Sequence, residues 1–383
     1  MNLFARIFCK LVELILHIRT LFIQGSQVLR DPTWLLVHYQ SDEQRAATVR
    51  LAADLNIPSP KNLSRGQLMA AVEDHRLKQI QTHHPIHVAV IIPFRDAWSM
   101  THSCIESLLK QNLNHVQLTL CLIDNGSRKT ETAEGLSELQ KGWATLTKTA
   151  TSHAPVLHVI QDDRPFNFSG LNNTAVETLT RSTNSANPEY LLFLNNDTLW
   201  EDPLSLERLV FFAALSPRIG AVGCTLLYPN SKVQHLFLAP GVKLAGAHPC
   251  KGISFQASQS WYSDPRPVAA VTGALLLIST AHFQRAKGFD TALGNSCQDL
   301  DLCLKLQELE LENWVYPEIC VRHFETATRL KKNQAIEITY VSTKWGSKLT
   351  MNSYYSSELS RWSERPALTW GESAYPWSAV IQI

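Results

Sequence analysis

Four clusters in this sequence carry groups able to do chemistry. Asp124 ends an apolar run, LTLCLID (118–124), and Asn125-Gly126-Ser127 follows it. A carboxylate there can accept hydrogen bonds from a ligand, or it can close an Asx-turn that ends the strand. Asn195-Asn196-Asp197 follows a second apolar run, YLLFL (190–194). One carboxylate beside amide oxygens suits a hard divalent cation, Mg²⁺ or Mn²⁺, if substrate oxygens complete the shell. The same residues can equally turn the chain into its next helix. Asp299 and Asp301 lie in CQDLDLCLKL (297–306), where Leu300, Cys303 and Leu304 recur at helical spacing, as do Leu302, Leu306 and Leu309. That helix is apolar on more than one face, and a carboxylate at its start can act as general base or as cap. His323 and Glu325 stand in VRHFETATR (321–329). If the segment is extended they lie on one side. His323 can then complete a metal shell and Arg329 can bind phosphate. The alternative is an exposed polar loop after the strand NWVYP (313–317).

Strands and helices must bring these groups together. VAVIIP (88–93), LTLCLID, VLHVI (156–160) and YLLFL are continuous apolar runs, as expected of strands buried on both faces. Helical stretches fall at about 99–111 and from Asp202-Pro203 to about Leu215. Alternating strands and helices predict an α/β domain with a mostly parallel sheet. Ligands bind such sheets at the carboxyl ends of the strands, where Asp124 and Asp197 fall. Residues 31–85 read as short helices, with Asp31-Pro32 as a start signal and capping-box spacing at Ser41/Gln44 and Ser64/Gln67. The stretch 45–75 faintly resembles a SAP-like helix-extension-helix unit, but a helical spacer is the reading adopted. His83, His84 and His87 flank Pro85 and read as a solvated linker rather than a metal site. Near the start, Leu3, Phe4, Ile7, Phe8, Leu11, Leu14, Ile15, Ile18 and Phe22 recur helically, with Arg6, Lys10, Glu13 and His17 opposite. The charges interrupt the run too often for a spanning helix. It is an amphipathic helix that either lies in a membrane interface or packs on the protein.

Composition narrows the classes. The chain has 383 residues, 45% hydrophobic and 18% charged, with net charge +1. That excludes a disordered chain and gives no field that would drive nucleic-acid binding. No cysteine pair has C-x-x-C spacing, so zinc-ribbon and thioredoxin-type sites are not expected, and the thiols fit a reducing compartment. P-loop, GxGxxG, G-x-S-x-G and HExxH motifs are absent.

Each cluster is weak alone, but their order is informative. The series VAVIIPFRD, LCLIDNGS, PFNFSGLNN, LLFLNNDT, VAAVTGALLL, QDLDLCLKL, RHFETATR resembles the inverting glycosyltransferases of family 2. It is most like their bacterial polysaccharide and O-antigen branch, which includes rhamnosyltransferases. The resemblance covers about residues 86–330 and continues into YVSTKWGSKLTMNSYYSSELS (340–360). It implies a GT-A fold over 86–330, after an amphipathic helix (1–30) and a small helical region (31–85), and before a C-terminal extension (331–383). Carried over by motif, Pro93, Arg95 and Asp96 would line the nucleotide pocket and Asp124 would bond the nucleobase. Asn172 and Asn173 would lie near the nucleotide, and Thr272, Gly273 and Asn196 by the donor sugar. Asp197 and His323 would hold the metal, Arg329 the phosphate, and Asp299 would be the catalytic base. Two departures stand out: the metal motif has one carboxylate, Asp197, and the base follows a neutral Gln298 rather than a Glu.

The implied reaction moves a sugar from dTDP-rhamnose or a UDP-hexose to a hydroxyl of a growing glycan. A Mn²⁺ or Mg²⁺ ion would offset the charge developing on the leaving diphosphate. The resemblance implies a nucleotide-sugar donor and a glycan acceptor on a lipid carrier, with no nucleic-acid partner. The expected location is cytoplasmic, with peripheral contact at the inner face of the plasma membrane. A non-catalytic nucleotide-sugar-binding protein of the same fold is the rival reading.

Overall fold

A computed structural model describes residues 3–24, 31–58, 60–62, 66–82, 84–149, 154–181, 187–243, 246–255, 262–325 and 331–369. Its centre is a ten-stranded sheet. The strands are β1 (Ile86–Phe94), β2 (Val116–Asp124), β3 (Val156–Gln161), β4 (Tyr190–Leu194), β5 (Thr198–Trp200), β6 (Ile219–Leu227), β7 (Val233–His235), β8 (Arg266–Val268), β9 (Leu275–Ser279) and β10 (Glu312–His323). Their order is β3-β2-β1-β4-β9-β6-β10-β5, with β7 on β6 and β8 on β10. The expected parallel sheet is found in β3-β2-β1-β4. Beyond β4 the directions mix: β9 runs antiparallel to both β4 and β6, while β6 and β10 are parallel. Apolar runs report burial on two faces but not strand direction, so the sequence pattern could not separate the halves.

The runs are continuous because both faces are covered. Ala89, Ile91, Cys121, Ile123, Leu191 and Phe193 join one core. Their neighbours Val88, Val90, Ile92, Leu120, Leu122, Leu192 and Leu194 join another. Alternate side chains of one strand therefore feed two cores. The helix Phe168–Arg181 and the helix Gln298–Glu308 fill the first. The helices Trp98–Leu109 and Ser205–Ala213 fill the second.

The flanking regions pack onto this body. Ser41 and Gln44 form the predicted capping box of the helix Asp42–Asp54. Asp31 accepts from the Thr33 N–H at 2.9 Å just before the short helix Thr33–His38, whose N-cap position falls on Pro32. Ser64 and His83 lie outside the described residues. The helix Lys331–Trp345 packs beside the helix Gln298–Glu308, where Trp345 Nε1 donates to Asp301 at 2.9 Å. Residues 363–369 run along the N-terminal helix Leu3–Gln24, where Leu368 N donates to Thr20 at 2.9 Å. Among the described residues no helix is long and apolar enough to cross a membrane.

Candidate active site

The carboxyl ends of the first four strands form one edge. Phe94 stands opposite Asp124, and Asp124 opposite Gln161. Just past β1 the backbone turns left-handed at Asp96 (φ 54°) and Ala97 (φ 49°). Pro93 is half-buried and Arg95 exposed at this turn. Asp96 accepts from the backbone N–H groups of Arg128 and Lys129, each at 2.9 Å. Those two donors, Lys129 first, hold its carboxyl below the usual range. Asp124 is buried and accepts from Ser127 N, three residues on, at 2.9 Å, holding the turn that follows the strand. Asn125, which the sequence reading passed over, donates to the carbonyls of Asp162 and Arg164 at 2.7 and 2.8 Å. It stitches the end of β2 to the loop after β3.

The two expected nucleotide-side asparagines are occupied within the fold. Asn172 is fully buried, and its amide donates to the Phe168 carbonyl at 2.8 Å. Asn173 clasps the Phe289 backbone twice, donating at 2.8 Å and accepting at 3.0 Å. The clasp requires a glycine at 288, which has φ +66° and would place a Cβ 2.7 Å from the Asn173 oxygen.

The centre is organised by one turn, Thr272–Ala274, just before β9. Each of its three residues holds a different part of the site. Thr272 N donates to His235 Nε2 at 3.3 Å, Gly273 N to Asp299 Oδ2 at 2.8 Å, and the Ala274 carbonyl accepts from Asn195 N at 2.9 Å. Asp299 Oδ1 accepts from Leu300 N at 2.8 Å. Asp299 is partly exposed at the start of its helix, whereas Asp301 is fully buried. Asp301 meets Lys305 at 2.9 Å and Lys344 at 2.7 Å as well as Trp345, which makes it the structural member of the pair.

Asp197 and His323 come together as well. Asp197 Oδ1 lies 3.0 Å from His323 Nε2, and both side chains are buried. His323 Nδ1 is 2.6 Å from Gln234 Oε1. Gln234 donates through its amide nitrogen to the His323 carbonyl and to Glu325, each at 3.3 Å. Gln234 Oε1 is therefore the acceptor and Nδ1 carries a proton, while Nε2 faces Asp197. The amide nitrogen of Asn195 stands 3.2 Å from the same Nε2. Asn196 donates to Thr101 at 2.9 Å, tying this loop to the helix Trp98–Leu109. His323 ends β10 rather than sitting in an exposed loop, and the extended geometry does not reach Glu325, whose φ is 48°. Arg329 lies outside the described residues.

Sequence reasoning missed Gln234 and His235. Burial holds His235 neutral, and its Nδ1 is 2.9 Å from His248 Nδ1. Because Nε2 accepts from Thr272 N–H, Nδ1 is the donor to His248.

Residues 89–235 match the sequence profile described as Glycosyl transferase family 2. This part of the chain is a family 2 glycosyltransferase domain. The O-antigen biosynthesis protein RfbC of Myxococcus xanthus is 28% identical over 309 residues, covering 76% of this chain and 22% of that protein. The uncharacterized protein y4gI of Sinorhizobium fredii is 26% identical over 270 residues, covering 67% of this chain and 27% of that one. The chain thus spans about a quarter of the length of either relative. A crystal structure of GalNAc-T7 with UDP, GalNAc and Mn²⁺ superposes with a TM-score of 0.54 at 15% identity, covering 69% of this chain and 49% of that one. The fold of this glycosyltransferase domain is GT-A.

Proposed function

We propose that this glycosyltransferase inverts the anomeric centre of a sugar that it moves from dTDP-rhamnose or a UDP-hexose to a hydroxyl of a growing glycan. The observation carrying the reading is the turn Thr272–Ala274, which binds Asp299 and the Asn195–Asp197 loop from adjacent residues. This supports reading Asp299 as a base and the Asn195–Asp197 loop as a cation motif on either side of one turn. Likeness to an O-antigen biosynthesis protein supports a polysaccharide acceptor on a lipid carrier, met at the cytoplasmic leaflet.

The residues present fit a divalent cation. Asp197 Oδ1 and His323 Nε2, 3.0 Å apart, are an oxygen and a nitrogen close enough that both would hold one ion. No group of three or more His, Cys, Asp or Glu residues able to hold an ion occurs among the described residues, so diphosphate oxygens would complete the shell. When bound, Mn²⁺ or Mg²⁺ would offset the charge that develops on the departing nucleoside diphosphate. GalNAc-T7, of the same fold, is seen with UDP and Mn²⁺.

The chain's own residues supply the rest. Pro93, Arg95, Asp96 and Asp124 edge the nucleotide side, with Asn172 and Asn173 supporting it from the next helix. Thr272, Gly273 and Asn196 border the donor sugar, and Arg329 is assigned to phosphate. The Gly273 N–H fixes one Asp299 oxygen, which orients the carboxylate. Asp299 takes the proton of the acceptor hydroxyl as that oxygen attacks C1. The C1–O bond to the diphosphate breaks on the opposite face, and its electron pair leaves with the nucleotide.

The test is nucleoside diphosphate release from a panel of UDP-, dTDP- and GDP-sugars, with Mn²⁺ or Mg²⁺ and extracted lipid-linked glycan. Release from one donor, lost with chelator and in Asp299→Asn, is the expected result. Calorimetric nucleotide binding with no release from any donor would replace this reading with the binding-protein one.

A further inference from the structure

The N-terminal helix Leu3–Gln24 is docked with its polarity reversed. A helix that packs on a protein for stability turns its apolar stripe inward. Here the inward face is the polar one. Glu13 pairs with Lys243 at 2.9 Å, and Thr20 accepts from Leu368 N at 2.9 Å. His17 lies 3.4 Å from both the Arg365 carbonyl and Ser363 Oγ, while Arg19 donates to the Thr369 carbonyl and Gln24 to the Tyr39 hydroxyl. Leu16 and Thr20, at 2% and 1% exposure, mark the buried side. The opposite side carries Leu11, Leu14, Ile15, Ile18 and Phe22, exposed from 40% up to 87%. At 100° per residue these five span one arc, and Phe4 and Ile7 extend it in sequence.

We propose that this outward stripe is a docking surface for the interfacial layer of an anionic lipid bilayer. Three observations favour that occupant. The exposed stripe from Leu11 to Phe22 is about 17 Å long at 1.5 Å per residue, a length suited to lying in a membrane plane. The helix is too interrupted by charge to cross one. Its charges are Arg6, Lys10 and Arg19 against Glu13 alone, which complements anionic headgroups. Polar contacts with residues 363–369 fix the helix to the enzyme, so insertion would hold the body in one orientation. This deepens the lipid-linked acceptor reading and rests on it for its purpose, but vesicle binding is measured without any sugar transfer.

The full chain is floated with vesicles of phosphatidylcholine containing phosphatidylglycerol, and with phosphatidylcholine alone. Binding to the anionic vesicles, weakened by salt, is expected. Leu14→Ser, Ile18→Ser and Phe22→Ser together should lower partitioning at least about 100-fold, because three large apolar side chains no longer bury. Melting temperature and nucleoside diphosphate release should stay at parent values. Should the triple variant melt early, Phe22→Ser alone, at the most exposed position, carries the test. A full chain that stays unbound overturns the proposal. So does a stripe-dependent dimer in light scattering, which would assign the stripe to a second copy. Binding that appears only in a chain ending at Thr369 would assign it to residues 370–383 and also overturn the proposal. Failure of flotation alongside normal sugar transfer would remove the docking surface and leave the transferase reading intact.

Discussion

At the residue scale, the proposed chemistry depends on how single side chains are held. Removing the Asp299 carboxylate should lower kcat by about 10²–10⁴-fold, the usual worth of a general base, with donor binding retained. Paired turnover and calorimetry on Asp299→Asn check this. Gln234 acts through its neighbour: its oxygen fixes the proton on His323 Nδ1 and leaves Nε2 facing Asp197. Gln234→Leu should weaken Mn²⁺ affinity about 10–100-fold, as loss of such a support usually does, while Gln234→Glu restores the acceptor. Activity titrated against Mn²⁺ reads the difference. Asp197, Asp299 and His323 stood out in the sequence as candidates because carboxylates and histidines beside apolar runs are conspicuous. Gln234 was not, since a neutral amide about ninety residues from its histidine leaves no local pattern.

At the element scale, the start of the helix Gln298–Glu308 is braced from outside the sheet. Glu337, on the helix Lys331–Trp345, accepts from the Gly294 and Asn295 N–H groups at 2.9 and 3.0 Å. Lys344 of the same helix reaches both Asp290 and Asp301, each at 2.7 Å. Asp301→Ala leaves two lysines around a buried gap and should cost about 3–5 kcal/mol in urea melts. Burial alone would raise the Asp290 carboxyl, but Lys344, the Ala292 N–H and Tyr340 bring it down to about 2. A carboxyl lowered by folding stabilises fully above its unfolded value, near pH 4, and that contribution is lost as pH falls through about 2. Asp290→Asn should therefore be less stable than the parent at pH 7, with the gap closing between about pH 4 and pH 2 in equilibrium unfolding. On β6, a Cβ at Gly223 would meet Val271 at 2.8 Å, one residue before the turn that holds the site. Gly223→Ala should cost about 1–3 kcal/mol and lower kcat with it, read by melting and turnover together. The helix at 298–308 was legible from its leucine spacing. Its brace was not, because Glu337 and Lys344 sit in a helix of mixed polarity whose partner no periodicity names.

At the scale of the whole molecule, the sheet is two halves meeting at β4 and β9. The parallel half was legible as four apolar runs ending in polar turns. The second half was not, because β9 lies about eighty residues beyond β4 in sequence. The amphipathic helix was legible too, but which face it turns to the body is decided by Lys243 and residues 363–369, far away in the chain. The same separation has a consequence in time. A ribosome adds about 5–20 residues per second, and domains tend to form as they emerge. β1 to β4 can pair once Leu194 is out, while Lys344 follows about 150 residues later. For roughly 8–30 s of synthesis at that speed the growing chain would own the proposed nucleotide edge without its braced candidate base. On the proposed reading, newborn copies would meet a nucleotide donor before they could act on it.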